Sequence, residues 1–189
     1  LSTVLFPGGR LPLQIFEPRY IDLISASLKN DSGFGVVCLL QGTEVVSQRP
    51  QLPPSFTTVG TYVKVIDWNS LPNNRLAVTV EGIKKFRLLS SYQQTDNLYR
   101  AEIEWIAPER AEAAPADCGE LQSLLSQLGR HPQVQLLNYD LDIVDAATLG
   151  YLLSQLLPID NRLKYQLLIM DEPLDRLQSI GDLLEQLSR

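Results

Sequence analysis

Histidine occurs once in this chain, methionine once and cysteine twice. That scarcity removes most routes to metal or covalent chemistry. His131 has no companion soft ligands of the kind a zinc site requires. It precedes Pro132 in a loop between expected helices, and no neighbour there could orient it as a general base. It reads as a solvated loop residue. Cys38 and Cys118 form no Cys-x-x-Cys pair and stand far apart, so the pattern is not a secreted disulfide framework and a reducing compartment is expected. Cys38, inside Val36-Val37-Cys38-Leu39-Leu40, is expected to be a buried, inert thiol. Cys118 falls near an expected helix start, where a thiol pKa can drop, yet nothing beside it signals a reactive role.

Positive charge is also short. Sixteen Lys and Arg stand against 22 Asp and Glu, giving a net charge of −6 and a sequence pI near 4.8. Phosphate backbones are bound through clustered cations that displace counterions, so nucleic acid and anionic membrane surfaces are not expected partners. Local basic patches such as Lys84, Lys85 and Arg87 argue the other way. No run of 18 apolar residues is present, so no membrane span is expected. No signal peptide is visible, but the chain opens at Leu1 rather than Met. The expected location is therefore cytoplasmic, or an organelle stroma or matrix if a targeting peptide was removed.

What is present is an ordinary globular composition, 44% hydrophobic and 20% charged. A chain of this length buries roughly 70% of its unfolded surface and needs neither disulfides nor metal to fold. Its first half reads as strands: Gly35 to Leu40, Thr61 to Trp68, Leu76 to Val80, Ile83 to Leu89 and Tyr99 to Ile106. Pro72-Asn73-Asn74 between two of these runs predicts a hairpin, since Asn tolerates the positive φ of tight turns. In the last run Ala101, Ile103 and Trp105 alternate with Arg100, Glu102 and Glu104, the mark of a half-buried strand. One helix interrupts early, from Glu17 to Lys29, with Pro18 in its first turn and Tyr20, Leu23, Ile24 and Leu28 on one face.

Ala107 to Asp117, rich in Ala and Pro, reads as a linker. Beyond it the apolar period changes from two to 3.6. Leu121 to Leu128 marks a helix ending near Gly129 or Pro132. Leu149 to Leu157 marks another, with Asp142 near its start as a cap and Pro158 as its stop. Asp160 can cap a third through Leu163, Leu167 and Met170, and Leu174 to Leu187 marks a fourth. These form a small helical bundle.

Glu102 and Glu104 share a strand face with Arg100 and are better explained as a polar exterior than as an acid/base pair. Asp140 and Asp142 fit turn and cap roles, because no calcium-loop pattern follows them. There is no Gly-x-Ser-x-Gly elbow and no phosphate-cradling Gly-x-x-x-x-Gly-Lys-Ser/Thr loop, and Gly8-Gly9 is expected to serve a turn. No catalytic residue, metal ligand or cofactor is assigned.

The most specific stretch is Val4-Leu5-Phe6-Pro7-Gly8-Gly9-Arg10-Leu11-Pro12-Leu13-Gln14-Ile15-Phe16-Glu17-Pro18-Arg19-Tyr20. It resembles the opening signature of the amino-terminal, substrate-binding domain of Lon proteases. In that signature a buried strand leads through Phe-Pro-Gly to Leu-Pro-Leu and into the first helix. Phe34-Gly35-Val36-Val37 is similar to the family's second strand, Val59-Gly60-Thr61-Tyr62-Val63 to its third, and Glu81-Gly82-Ile83-Lys84-Lys85-Phe86-Arg87-Leu88 to its Gly-x-x-Arg-Phe segment. Lys85 departs from the usual Arg, and Asn73-Asn74 from the usual Asp-Gly. Leu157-Pro158-Ile159-Asp160 and Lys164 to Leu168 match more loosely.

The resemblance implies an α+β fold: a β-rich PUA-like pseudo-barrel, placed at residues 1–112, followed by a helical bundle at 113–189. It also implies a module that holds protein or unfolded polypeptide, and the ATPase loop and Ser-Lys peptidase segment of Lon have no counterpart in these residues. The expected function is non-catalytic polypeptide recognition, as an adaptor or recognition factor in protein quality control. The rival is nucleic-acid binding, since PUA-like barrels elsewhere contact RNA, but it rests on analogy of fold alone. Phe16, Glu17, Arg19 and Tyr20, at the strand-to-helix junction, are the candidate partner-binding residues: an aromatic anchor with charges that reach solvent. The plainer alternative is that the aromatics pack and Glu17 favours the helix's positive end.

Overall fold

The computed structural model describes residues 1–42, 54–73, 75–110, 112–115, 118–143 and 145–187. The chain divides into two compact units, Leu1–Ala107 and Pro108–Arg189. The first holds β1 (Arg10–Ile15), α1 (Pro18–Lys29), β2 (Phe34–Val36), β3 (Leu39–Gln41), β4 (Ser55–Phe56), β5 (Val59–Leu71), β6 (Arg75–Gln93) and β7 (Tyr99–Trp105). The α+β class is as expected, strands first and helices after. The β-rich part is an open antiparallel sheet with the path β1-β6-β5-β2, beside a small β3-β4 sheet, and it does not close into a barrel. The long β6 explains this. It gives one edge to β5, and along the other edge it takes β1 at residues 76–81 and β7 at residues 86–93.

The Pro72-Asn73 turn joins β5 to β6, and Asn73 has φ +61°, as turn chemistry requires; Asn74 lies outside the described residues. Two expected strands, Leu76 to Val80 and Ile83 to Leu89, form a single strand. Gly82 between them is not a break but a point of close approach. A Cβ there would sit 2.1 Å from the Phe6 carbonyl oxygen. Gly8 N donates to Gly82 O at 2.8 Å and Gly82 N donates to Gly9 O at 2.9 Å. The implied buried strand at Val4–Phe6 is instead a buried irregular segment held against β6, and Gly8, at φ +73°, turns the chain into β1.

The expected strand Gly35 to Leu40 splits in two, because the chain changes sheets at Val37-Cys38. Cys38 N donates to Thr57 Oγ1 at 3.1 Å, and Thr57 Oγ1 donates to Val59 O at 3.0 Å, so one buried hydroxyl serves the corner. Cys38 is buried as expected. Leu5, Ile24, Val36, Val63, Val78 and Val80 form the core of this unit. Of the expected face of α1, Ile24 is buried and Tyr20 and Leu23 are half-buried, whereas Leu28 is exposed. Ser27 takes the inner position in the last turn, where its hydroxyl donates to Ser32 O.

The second unit holds α2 (Gly119–Gly129), a short α3 (Pro132–Gln135), α4 (Ala146–Leu156), α5 (Asn161–Ile169) and α6 (Pro173–Leu187). The central α4, with Leu149, Leu152 and Leu153 buried, packs against α2, α5 and α6. Asp160 caps α5 by accepting from Leu163 N, as expected. The cap of α4 is Asp145, which accepts from Thr148 N, and not Asp142. Asp140 makes a turn by accepting from Asp142 N. His131 is exposed ahead of α3.

The expected linker is only partly one. Ala113 bridges to Asp145, Ala146 N donates to Glu112 O, and Glu109 is drawn into the helical core against Arg176 and Tyr151. Ala111, Ala116 and Asp117 of this stretch lie outside the described residues.

Candidate functional site

The open sheet of the first unit and the start of α1 enclose a groove of about 560 Å³, lined mostly by apolar side chains. Its walls come from strands distant in sequence. Phe86 of β6 and Tyr62 of β5 lie in the floor, with Tyr99 and Trp105 of β7 along one side and Phe16 and Tyr20 along another. Trp105 stands directly across from Phe86 in the β6/β7 register, so the pairing of strands sets the spacing of the rings.

Glycines make room for this aromatic lining. A Cβ on Gly35 would come within 2.8 Å of the Phe86 ring, and one on Gly60 within 2.7 Å. One ring thus fills the space that two side chains would occupy on β2 and β5. Edge-to-face contacts fix the other rings: Tyr62 with Trp105 at 5.4 Å between centroids, and Phe56 with Tyr99 at 5.1 Å. The Lys84 ammonium lies 3.6 Å from the centre of the Trp105 ring. The Tyr62 hydroxyl accepts from Gly33 N at 2.6 Å. The floor is therefore held by contacts among its own side chains. The rim is open, with Phe16 54% and Trp105 48% exposed.

The four residues singled out from the sequence all line this groove, so the strand-to-helix junction does bring them together. The charged pair, however, is largely withdrawn from solvent. Arg19 is only 8% exposed. Its Nε donates to Glu17 Oε2 at 2.8 Å, its Nη1 donates to the Asn97 carbonyl, and its guanidinium lies 4.5 Å from the centre of the Tyr20 ring. Asn97, at φ +66°, sits in the turn between β6 and β7. Arg19 thereby ties the first turn of α1 to the tip of that hairpin. The aromatic pair divides: Phe16 is exposed at the rim and Tyr20 half-buried in the wall.

The sequence reading missed Tyr62, Phe86 and Tyr99 as groove residues, since only the register of three strands assembles them. It also expected Ala101 and Trp105 on a buried face. Both are exposed, because the face they share looks into the groove and not into a filled core. Among the described residues, no group of three or more His, Cys, Asp and Glu side chains is placed to hold a metal ion. Among the described residues Glu17 is the one carboxylate lining the groove, and it is bound to Arg19. No helix among the described residues is long and apolar enough to cross a membrane.

An open antiparallel sheet carrying an aromatic groove, with a set of helices following it in the chain, is the architecture for which the comparisons with known proteins give the family. Residues 1–186 match the model of the ATP-dependent protease La (LON) substrate-binding domain, and the chain belongs to that family. It is similar to Lon protease of Desulfovibrio desulfuricans, 26% identical over 195 residues, which takes in 98% of this chain and 21% of that protein. It is 28% identical over 105 residues to Lon protease 1 of Hydrogenovibrio crunogenus, covering 56% of this chain and 12% of that one. Protein cereblon of Gallus gallus is 24% identical over 124 residues, 66% of this chain and 26% of that protein. The chain thus matches only a small part of the length of these curated relatives.

Among solved structures, the Lon N-terminal domain protein from Xanthomonas campestris aligns with a TM-score of 0.74 and 28% identity, covering 96% of this chain and 94% of that one. The N-terminal domain of a Mycobacterium avium complex Lon protease shares the fold, with a TM-score of 0.59 at 18% identity over 96% of this chain and 92% of that one.

Proposed function

We propose that this chain recognises non-native or unstructured polypeptide, holding it in the aromatic groove without covalent chemistry, and serves as an adaptor or recognition factor in protein quality control. The observation that carries this reading is the pairing of a packed aromatic floor with half-exposed Phe16 and Trp105 at an open rim. Concave apolar sites of roughly 300–1,000 Å³ are where ligands bind, and aromatic anchors contribute most of the energy at protein interfaces. A non-catalytic role is supported by the groove's polar inventory, in which Glu17 is already committed to Arg19. Membership of the Lon substrate-binding family agrees with a protein ligand.

Nucleic acid finds less support. The exposed face of β7 mixes Arg100 with Glu102 and Glu104, so no unbroken cationic stripe follows the groove.

The test is fluorescence anisotropy of a labelled, permanently unfolded protein titrated with the chain, with a folded protein and an RNA oligomer as controls. Saturable binding of the unfolded probe alone is expected at micromolar concentrations, and Trp105→Ala or Phe16→Ala should weaken it by about tenfold. No saturable binding of the unfolded probe overturns the reading, and salt-sensitive binding of the RNA alone favours its rival.

A further inference from the structure

The groove is bordered by a strand whose outer edge no other described strand covers. Among the described residues β7 pairs with β6 alone. At the two ends of that ladder Ile106 N donates to Lys85 O and Gln94 N donates to Leu98 O. Backbone groups of an antiparallel strand alternate in direction. Arg100, Glu102 and Glu104 therefore aim their N–H and C=O at β6, while Tyr99, Ala101, Ile103 and Trp105 aim theirs at the open edge. The same four residues line the groove with their side chains. Solvent reaches this edge, because Ala101, Glu102, Glu104 and Trp105 are all exposed. The opposite face of β7 carries Arg100, whose Nε donates to Gln94 Oε1 at 3.1 Å, and is acidic beyond it at Glu102 and Glu104. Glu104 meets Arg87 only at 3.9 Å across an exposed surface, and Glu102 accepts from the Ser90 hydroxyl at 3.1 Å.

These features select one kind of ligand. We propose that polypeptide is captured by strand addition: an extended, proline-free segment pairs antiparallel with β7, its alternate residues apolar and basic. This deepens, and rests on, the reading of the groove as a polypeptide site. Antiparallel pairing continues the sense of the existing sheet. Residues opposite Ala101, Ile103 and Trp105 bond to them through the backbone and place their side chains over the groove, where apolar or aromatic groups fit. Residues between them stand beside Glu102 and Glu104 on the outer face, where Lys or Arg forms cross-strand ion pairs and Asp or Glu is repelled. Main-chain bonds give affinity that does not depend on sequence, and the alternation gives preference.

The register makes the test specific, because only the apolar residues of such a segment direct their N–H groups to β7. Labelled heptapeptides alternating Val or Phe with Lys would be titrated with the intact chain in three forms: unmodified, N-methylated at the apolar residues, and N-methylated at the lysines. An acidic analogue with Glu in place of Lys completes the set. The unmodified peptide is expected to bind, methylation at the apolar residues to weaken binding by roughly tenfold or more, and methylation at the lysines to have little effect. The exposed double variant Glu102→Lys with Glu104→Lys should reverse the preference between the lysine and glutamate peptides.

Equal effects of the two methylation patterns, or the opposite order, overturn antiparallel strand addition, as does an unchanged charge preference in the double variant. If the unfolded protein binds while the methylation patterns are equivalent, the groove reading stands and strand addition alone falls. If neither the unfolded protein nor any peptide binds, both fall.

Discussion

Arg176 meets Glu109 in a two-bond fork, with Nη1 donating to Oε2 at 2.8 Å and Nη2 to Oε1 at 2.6 Å, and the arginine has none of its surface exposed. Its Nε also donates to Leu167 O at 2.9 Å and its Nη2 to the Met170 carbonyl, while the Tyr151 ring lies 4.2 Å from the guanidinium carbon. The charge thus holds together the linker residue Glu109, the end of α5 and the helices α4 and α6. An arginine fork can do this where an ammonium cannot.

Removing one partner of this pair should cost far more than removing both. Glu109→Ala is expected to destabilise the helical unit by about 3–5 kcal/mol, because a buried guanidinium is left without its counter-charge. Arg176→Met alone should cost a similar amount. The double variant Glu109→Leu with Arg176→Met should fall well short of the sum. Urea unfolding followed by circular dichroism checks this, and an additive double variant would sink the account.

Tyr151 gives the unit a sensitivity to alkali. Burial holds its phenol well above the ordinary value of 10.0, its hydrogen bond to Glu109 raises it further, and the charge of Arg176 opposes this. The folded chain keeps the proton to higher pH than the unfolded chain does. The stabilisation is therefore complete below about pH 10 and is lost as pH climbs beyond it. Lys164 acts in the opposite sense. Burial lowers its pKa from 10.5, so its ammonium costs stability at neutral pH and the cost fades as pH approaches that value. Denaturant midpoints measured from pH 8 to 11 should fall less steeply in Tyr151→Phe than in the parent. Identical slopes would show that the phenol does not govern alkaline unfolding.

The groove floor predicts a compensating pair. Gly35→Ala places a methyl whose three nearest neighbours all belong to the Phe86 ring, the closest at 2.8 Å, and should cost about 1–3 kcal/mol by overpacking. Phe86→Leu in the same chain should recover much of that loss, so the two changes are strongly non-additive. Gly60→Ala should not be rescued in this way, since its methyl also meets the Val36 carbonyl oxygen at 2.6 Å. Thermal melts of the four variants separate these outcomes.

Arg19 should behave as a clamp and not as a solvent-facing recognition residue. Arg19→Ala leaves the Glu17 carboxylate and the Asn97 carbonyl without their donor, at a cost of about 2–4 kcal/mol. Amide exchange should accelerate at Asn97 and Leu98, whose N–H groups are held by Gln94 and Asp96 within the same turn. Unchanged exchange at those two amides would place the role of Arg19 elsewhere.

Much of this fold was legible because its signals are local. Alternation marked β7, the 3.6-residue period marked the helices, Asn73 marked the hairpin and Asp160 its helix. The misreadings share a different cause. Glu109 lies among alanines and prolines and Arg176 between leucines of an amphipathic helix, and neither local pattern reveals a partner 67 residues away. Gly82 looked like punctuation because the backbone that presses on it belongs to Phe6. Arg19 looked solvated because the carbonyl it binds lies 78 residues further on. The junction residues of the candidate site were visible as a motif. The groove around them was not, since it exists only once β5, β6 and β7 are in register.

The long strand β6 also imposes an order on biosynthesis. β1, β5 and β7 all pair with it, and Arg10 finds its place opposite Glu81, which the ribosome adds 71 residues later. Until β6 emerges, β1 has no neighbour and the apolar segment from Val4 to Phe6 has no backbone to lie against. Contacts so far apart in sequence slow folding and leave strand edges uncovered meanwhile. A nascent form of this domain is thus for a time an unpaired, partly apolar polypeptide with its strand edges open to other chains.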